Sequence, residues 1–241
     1  DMDNVAQTVA PTQCVVQKNR LGTADAVKAA DGVLRGFDGD VLVLYGDTPL
    51  ITKATLDKMI EARRNGATVV VLGFTPEDPA KYGRLIVDET GLREIVEFKD
   101  ATPEQRAVRL CNSGVMCVDG KKLFDLLDKV KNDNAAGEYY LTDLVALARA
   151  QGDAAAVVEG GEEELTGANS RADLAVLEKI AQKRLRAKFL EQGVTMIDPD
   201  TVYFSFDTVL GKDVFIEPNV IFETGCVVED GVEIKGFCHF E

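Results

Sequence analysis

The sequence predicts an α/β fold, with a mostly parallel sheet and helices on both its faces, followed by a linker helix and the start of a hexapeptide β-helix. Three observations carry this. From residue 13 to about residue 160, short β-branched runs alternate with helical patterns, the order in which crossover connections build parallel sheets. Residues 171–193 then hold the longest pattern of period 3.6, closed by Gly193. Beyond Asp198 apolar residues recur every six positions, a spacing that neither a helix nor an alternating strand produces.

The expected strands are QCVVQ (13–17), DVLVLYGD (40–47), ATVVVLGF (67–74), GRLIVDE (83–89), LREIVEF (92–98), CNSGVMCV (111–118) and AAAVVEG (154–160). Each is rich in β-branched residues and bounded by Gly, Pro or Asp. Segments 41–45 and 68–72 are expected at the centre of the sheet. Between them stand four helical patterns, GTADAVKAADGVL (22–34), ATLDKMIEARRNG (54–66), KKLFDLLDKV (121–130) and LTDLVALARAQ (141–151). The linker helix places Leu174, Leu177, Ala181, Leu185 and Phe189 on one stripe, and its basic residues Lys183, Arg184, Arg186 and Lys188 read as a solvated face. In the hexads, Leu210, Ile216, Phe222, Val228, Ile234 and Phe240 are the expected interior residues, accompanied by Val214, Val220, Cys226, Val232 and Cys238; Phe204 and Thr208 extend the series upstream. Cys226 and Cys238 take small interior slots. His239 falls one place beyond an interior position and is given no role.

A formal charge of -14, from 27 basic and 41 acidic residues, excludes a protein that binds nucleic acid or anionic membranes through a basic face. No run of about 18 apolar residues and no basic-then-apolar leader occurs, so the expectation is a soluble, cytoplasmic protein. The five cysteines are an odd number without a CxxC spacing, which argues against a disulfide framework and a zinc site, and they read as reduced core thiols. An acidic chain that takes a phosphate ligand needs local compensation from a divalent cation, a few basic side chains or backbone amides.

Candidate chemistry begins at Asp47. It follows an apolar run at the carboxyl end of an expected strand, where open α/β sheets bind ligands, and its carboxylate is a hard donor suited to Mg²⁺. The same residue reads equally well as a turn aspartate ahead of Pro49. The LGT turn (21–23) puts amides and a hydroxyl at a helix start, fit for a base edge or a phosphate, or for an ordinary cap.

Seven ordered motifs add to this: QxxxLGTA (17–24), LYGDTPLI (44–51), DPAKYGRLI (78–86), IVEFKDAT (95–102), CNSGV (111–115), NAAGEYYLTD (134–143) and GANSR (167–171), with FIEPNVIFETG (215–225) in the hexads beyond. With them the chain resembles the bacterial bifunctional family of N-acetylglucosamine-1-phosphate uridyltransferases and glucosamine-1-phosphate acetyltransferases. The resemblance implies a Rossmann-like nucleotidyltransferase over 1–169, a linker helix over 170–193 and the first coils of a left-handed β-helix over 194–241. It also implies Mg²⁺-dependent transfer of UMP from UTP to N-acetylglucosamine 1-phosphate, giving UDP-N-acetylglucosamine for cell-wall and lipopolysaccharide synthesis. By the same resemblance Gln17, Gly22 and Thr23 recognise uracil; Tyr45, Gly46 and Asp47 lie near the phosphates and sugar; Gly83, Glu97 and Asn112 hold the sugar; and Asp47 and Asn169 bind the metal. Taken singly, Gly83 reads as a turn glycine, Glu97 as an edge-strand charge, Asn112 as a bulge residue and Asn169 as a helix cap.

The family's Gly-rich phosphate loop has no counterpart here, and its acetyl-CoA site and catalytic histidine belong to β-helix beyond residue 241. The chain is therefore expected to be a piece truncated at both ends of a homotrimeric parent. The family's usual QxEQLGTAHA becomes QKNRLGTADA, with Asn19, Arg20 and Asp25 as departures. Two readings of other classes stand beside this one: a hexapeptide acyltransferase whose first half is scaffold, and a silent module that binds a sugar nucleotide.

Overall fold

The computed structural model describes residues 2–79 and 81–241; Asp1, and Ala80 within the DPAKYGRLI motif, lie outside the described residues. The chain packs as two compact units, Asp1–Leu165 and Thr166–Glu241.

The first unit runs α1 (Met2–Thr8), α2 (Thr23–Lys28), α3 (Asp31–Leu34), β1 (Asp40–Val43), α4 (Lys53–Arg64), β2 (Ala67–Phe74), β3 (Arg84–Asp88), β4 (Gly91–Val96), α5 (Pro103–Arg106), β5 (Cys111–Asp119), α6 (Gly120–Leu127), α7 (Asp143–Ala150), β6 (Ala154–Glu159) and α8 (Glu162–Leu165). The strands lie in the order β4-β3-β5-β2-β6, with β1 joined to β5. One edge of β5 serves two strands, because Cys111 pairs with Arg84 of β3 while residues 116–119 pair with β1. Its other edge carries β2.

Helices cover both faces, as expected. Residues of β2 alternate between them: Val69 and Val71 meet Leu123, Leu126, Leu144 and Val145 of α6 and α7, whereas Val70, Leu72 and Phe74 meet Met59 of α4. Burial on both faces explains the unbroken apolar run ATVVVLGF. Cys111 and Cys117 are free and buried in the α4 layer, where burial pushes the Cys117 thiol up to about 11 and leaves it unreactive.

The sheet corrects three expectations. It is mixed rather than mostly parallel: β1, β2, β3 and β6 run one way, but antiparallel β5 lies among them, so among the described residues of this sheet β2 and β6 alone pair in parallel. QCVVQ forms no strand, and Val15 and Val16 stand 38% and 57% exposed. Its β-branched residues favour extended backbone, yet a strand exists only where another segment takes up its ladder bonds. Segment 41–45 is likewise not central. β1 ends at Val43, pairs with β5 alone among the described residues and is half-buried, and Leu44 is exposed. Its start is held by Asp40, which pairs with Arg64 at 2.8 Å and also with Arg63, while Arg63 reaches Asp119 of β5 at 3.1 Å. The GTADAVKAADGVL pattern splits into α2 and α3 at Ala29 and Ala30.

The second unit opens with α9 (Arg171–Glu191), whose N-terminus is capped by Ser170. Eight short strands follow: β7 (Thr195–Met196), β8 (Val202–Tyr203), β9 (Val209–Leu210), β10 (Phe215–Ile216), β11 (Val220–Phe222), β12 (Val227–Val228), β13 (Glu233–Ile234) and β14 (His239–Phe240). They stack in parallel as β7-β10-β13, β8-β11-β14 and β9-β12. Partners such as Phe215 and Glu233, or Val209 and Val227, lie three hexads apart, which is the triangular coil the period predicts. Phe204, Leu210, Val214, Ile216, Val220, Phe222 and Ile234 are buried inside, and the rings of Phe204, Phe222 and Phe240 stack at centroid separations of 5.1 and 5.2 Å.

Two features of the coils escape the apolar pattern. Asp213, Asn219, Gly225, Gly231 and Phe237, six apart, all take positive φ and turn the corners. Glycine, asparagine and aspartate enter that region readily, a phenylalanine only under strain. The other is Gln182, buried on α9. Its amide donates to the Phe204 carbonyl at 2.7 Å and accepts from the Phe204 N–H at 2.9 Å, as a neighbouring strand would, and Arg186 donates to the Val202 carbonyl at 3.3 Å. Leu177 and Phe189 of the expected stripe are buried, whereas Leu174 is exposed.

None of the described helices is long and apolar enough to cross a membrane. Since Phe237 is 85% exposed, Phe237→Gly is expected to stabilise the chain by about 0.5–1 kcal/mol by relieving the left-handed backbone. Gln182→Leu is expected to cost about 2–4 kcal/mol by stranding two backbone groups. Denaturant unfolding of the 241-residue chain measures both, and opposite signs are the expected result.

Candidate active site

The CNSGV motif breaks the ladder between β5 and β2. Met116 pairs with Val71 and Asn112 with Gly73, so Ser113, Gly114 and Val115 stand opposite the single residue Leu72. Side chains take over the lost bonds: Asn112 Oδ1 accepts from the Gly114 N–H at 2.9 Å, and Ser113 Oγ donates to the Leu72 carbonyl at 2.6 Å while accepting from the Val115 N–H. Gly114 sits at φ +89°, and a Cβ there would lie 2.4 Å from Cε2 of Tyr45. The bulge thus makes a bare patch of backbone on which the Tyr45 ring rests.

Three further predicted residues gather beside it. The Asn112 N–H donates to the Gly83 carbonyl at 2.9 Å, and the Glu97 carboxylate faces the α-carbon of Gly83, where a Cβ would stand 3.4 Å from Oε2. Gly83 precedes β3, Glu97 follows β4 and Asn112 lies in β5, so three adjacent strands deliver them to one corner of the sheet. The corner is electrostatically tense. Burial lifts the Glu97 carboxyl above its ordinary value, a hydrogen bond from the Thr142 hydroxyl opposes this, and Asp100 and Asp143 reinforce the rise. Burial also raises the Tyr45 phenol, helped by the charges of Glu97 and then Asp47, which keeps it protonated at neutral pH.

The QKNRLGTADA segment is tied to this corner by residues 138–142. Tyr139 exchanges backbone bonds with Leu21 (2.8 Å) and Ala24 (2.9 Å), and Thr23 Oγ1 accepts from the Leu141 N–H at 2.9 Å. Gly22, at φ +122°, lets the two segments touch, since a Cβ would meet the Tyr139 carbonyl at 2.5 Å. Gln17 folds back on the turn, its Nε2 donating to the Gly22 carbonyl at 3.1 Å and to Asp25 Oδ2 at 2.8 Å. Tyr139 and Thr142 are the residues sequence reasoning left out. Thr142 reads as the cap of α7, but its side chain makes no cap bond there and serves Glu97 instead.

Gly46 and Asp47 are exposed in the loop after β1, and Asn169 belongs to the second unit. Asn169 is not the cap of α9. Ser170 fills that position by accepting from the Asp173 N–H, while a hydrogen bond from the Ser170 side chain to the Asp173 carboxylate, and then the Asn169 N–H on Asp173 Oδ2 at 3.0 Å, hold that carboxyl below the usual range. Among the described residues no three His, Cys, Asp or Glu side chains gather as a metal cage. A cation that keeps its waters and takes one or two protein oxygens, as Mg²⁺ does, suits an exposed loop carboxylate such as Asp47.

A sheet covered on both faces, with a polar corner fed by several strand ends and a β-helix unit after it, is the architecture of a nucleotide-handling transferase. The nucleotidyl transferase family matches residues 3–170, and the chain belongs to that family. The chain is 58% identical to the bifunctional protein GlmU of Paramagnetospirillum magneticum and 61% identical to that of Rhodospirillum rubrum, each match covering 100% of this chain and 54% of the relative. Against the bifunctional protein GlmU of Roseobacter denitrificans it is 52% identical over 94% of this chain and 50% of the relative. The chain thus spans about half the length of the curated relatives it matches.

Because the folded Glu97 carboxyl titrates above its unfolded value, its contribution to stability is fully present below about pH 4 and is lost as the pH rises through the raised value. Glu97→Gln is therefore expected to gain on the parent chain in thermal stability between about pH 4 and pH 7. Parallel melting curves across that range check it, and a constant difference would reject burial as the dominant influence.

Proposed function

We propose that the parent protein transfers UMP from UTP to N-acetylglucosamine 1-phosphate, releasing pyrophosphate and UDP-N-acetylglucosamine. The observation that carries this is the gathering of Gly83, Glu97 and Asn112 beside Tyr45, at the corner joined through residues 138–142 to the base-reading turn. In this reading Gln17, Gly22 and Thr23 take the uracil edge. Tyr45, Gly83, Glu97 and Asn112 hold the sugar, with carboxylate and amide groups matched to its hydroxyls and acetamido group. The sugar phosphate oxygen attacks the α-phosphorus in line and the bond to pyrophosphate breaks, so the side chains bind and align the partners without forming a covalent bond to them.

Asp47 supplies a carboxylate oxygen and Asn169 an amide oxygen for Mg²⁺, which when bound would neutralise phosphate charge that a chain of net charge -14 cannot. The resemblance further assigns acetyl transfer from acetyl-CoA to parts of the parent beyond these residues, together with trimeric assembly, and we take the location to be cytoplasmic.

The test is pyrophosphate release from UTP by the full-length protein. Asp47→Asn is expected to lower turnover about a hundredfold or more with the melting temperature unchanged, and Asn169→Ala to act in the same direction. Magnesium-dependent activity that survives both substitutions would overturn the metal assignment, and full activity of a Glu97→Ala, Asn112→Ala double variant would overturn the sugar site.

A further inference from the structure

The Asp25 carboxylate stands where the resembling family carries histidine, and the structure gives it a defined task. Both N–H groups of Gln17 Nε2 are spent, one on Asp25 Oδ2 at 2.8 Å and one on the Gly22 carbonyl at 3.1 Å. Both partners are pure acceptors. Turning the amide over would set its oxygen against a carboxylate and a carbonyl, so chemistry fixes the orientation. The same Asp25 oxygen also accepts from the Leu21 N–H at 3.2 Å, which anchors the carboxylate to the turn. What Gln17 has left for a ligand is its Oε1, an acceptor.

We propose that Asp25 is a positioning residue that locks the Gln17 amide with nitrogen inward and oxygen outward, so that the base site selects a pyrimidine bearing a ring N–H. Uracil presents a donor at N3, whereas cytosine presents a lone pair there, which would face Oε1 without a proton between them. This inference rests on the reading of Gln17 as a base contact and adds the residue that sets its polarity. Both bonds of Asp25 to Gln17 and Leu21 converge on one oxygen. An asparagine with its carbonyl oxygen in that place keeps both, and an alanine loses both.

The experiment is calorimetric titration of the 241-residue chain with UTP and with CTP in the presence of Mg²⁺. The parent chain is expected to prefer UTP. Asp25→Ala is expected to weaken UTP binding about tenfold and to bring the UTP-to-CTP ratio towards one, while Asp25→Asn restores the ratio. Restoration of the ratio by Asp25→Asn, which keeps both bonds without the charge, is the readout that a purely electrostatic effect of Asp25 would not give. A selective parent chain whose ratio is untouched by Asp25→Ala, or not restored by Asp25→Asn, overturns the positioning role and leaves the uridylyl reading standing. A parent chain that binds both nucleotides equally, or neither, overturns both.

Discussion

Strand β5 is the constraint from which the first unit takes its form. It alone touches β1, β2 and β3, and every residue of its inner stretch, Val115 to Val118, is buried. A strand in that position cannot leave backbone groups unpaired without a cost of a few kcal/mol each, so the place where its ladder fails has to be repaired by side chains. Asn112 and Ser113 make the repair. The fault and the candidate site are therefore the same object: the bulge that interrupts the sheet bares the backbone for Tyr45 and brings Asn112 to Gly83.

The corner so formed is acidic within an already acidic chain. Burial and the charge of Asp100 make both Glu97 and Asp143 harder to ionise, Asp143 adds to the effect on Glu97, and Asp100 is fastened to the 134–143 loop through the Ala135 N–H. Residues 139, 141 and 142 reach in two directions, to the LGT turn by backbone and to Glu97 by a hydroxyl, so the turn cannot shift without pulling on the carboxylate. Position in the fold is settled here by polar bonds between loops together with the packing of Ala24, Tyr139 and Leu141 on the core, and the polar bonds explain why so many of these residues are glycine, threonine and asparagine.

Most of this was legible before any coordinates. The ATVVVLGF run, the α4 and α9 patterns and the hexads announce themselves because burial on one or both faces leaves a fixed period in the sequence. What periodicity cannot express is pairing. QCVVQ has the composition of a strand and no partner, and nothing in the order of strands reveals that β5 runs against its neighbours. The site residues were reached through motifs, yet the contacts that organise them, Tyr139 against Gly22 and Thr142 against Glu97, depend on a loop that folds back onto residues distant in the sequence. The corner series at Asp213, Asn219, Gly225, Gly231 and Phe237 was present in the letters too, but hidden by the presence of a phenylalanine where the geometry favours glycine.

The amide of Gln182 bears on how the β-helix meets other chains. A stack of short parallel strands presents open hydrogen-bonding rims, and an open rim is a template onto which any extended peptide can add. On the β8 edge, Gln182 and Arg186 occupy the carbonyls of Phe204 and Val202 and the Phe204 N–H, imitating the strand that would otherwise dock there. The helix thereby seals that rim against unwanted growth, and gives the cylinder a polarity: a blunt base from which coils can be laid down in one direction.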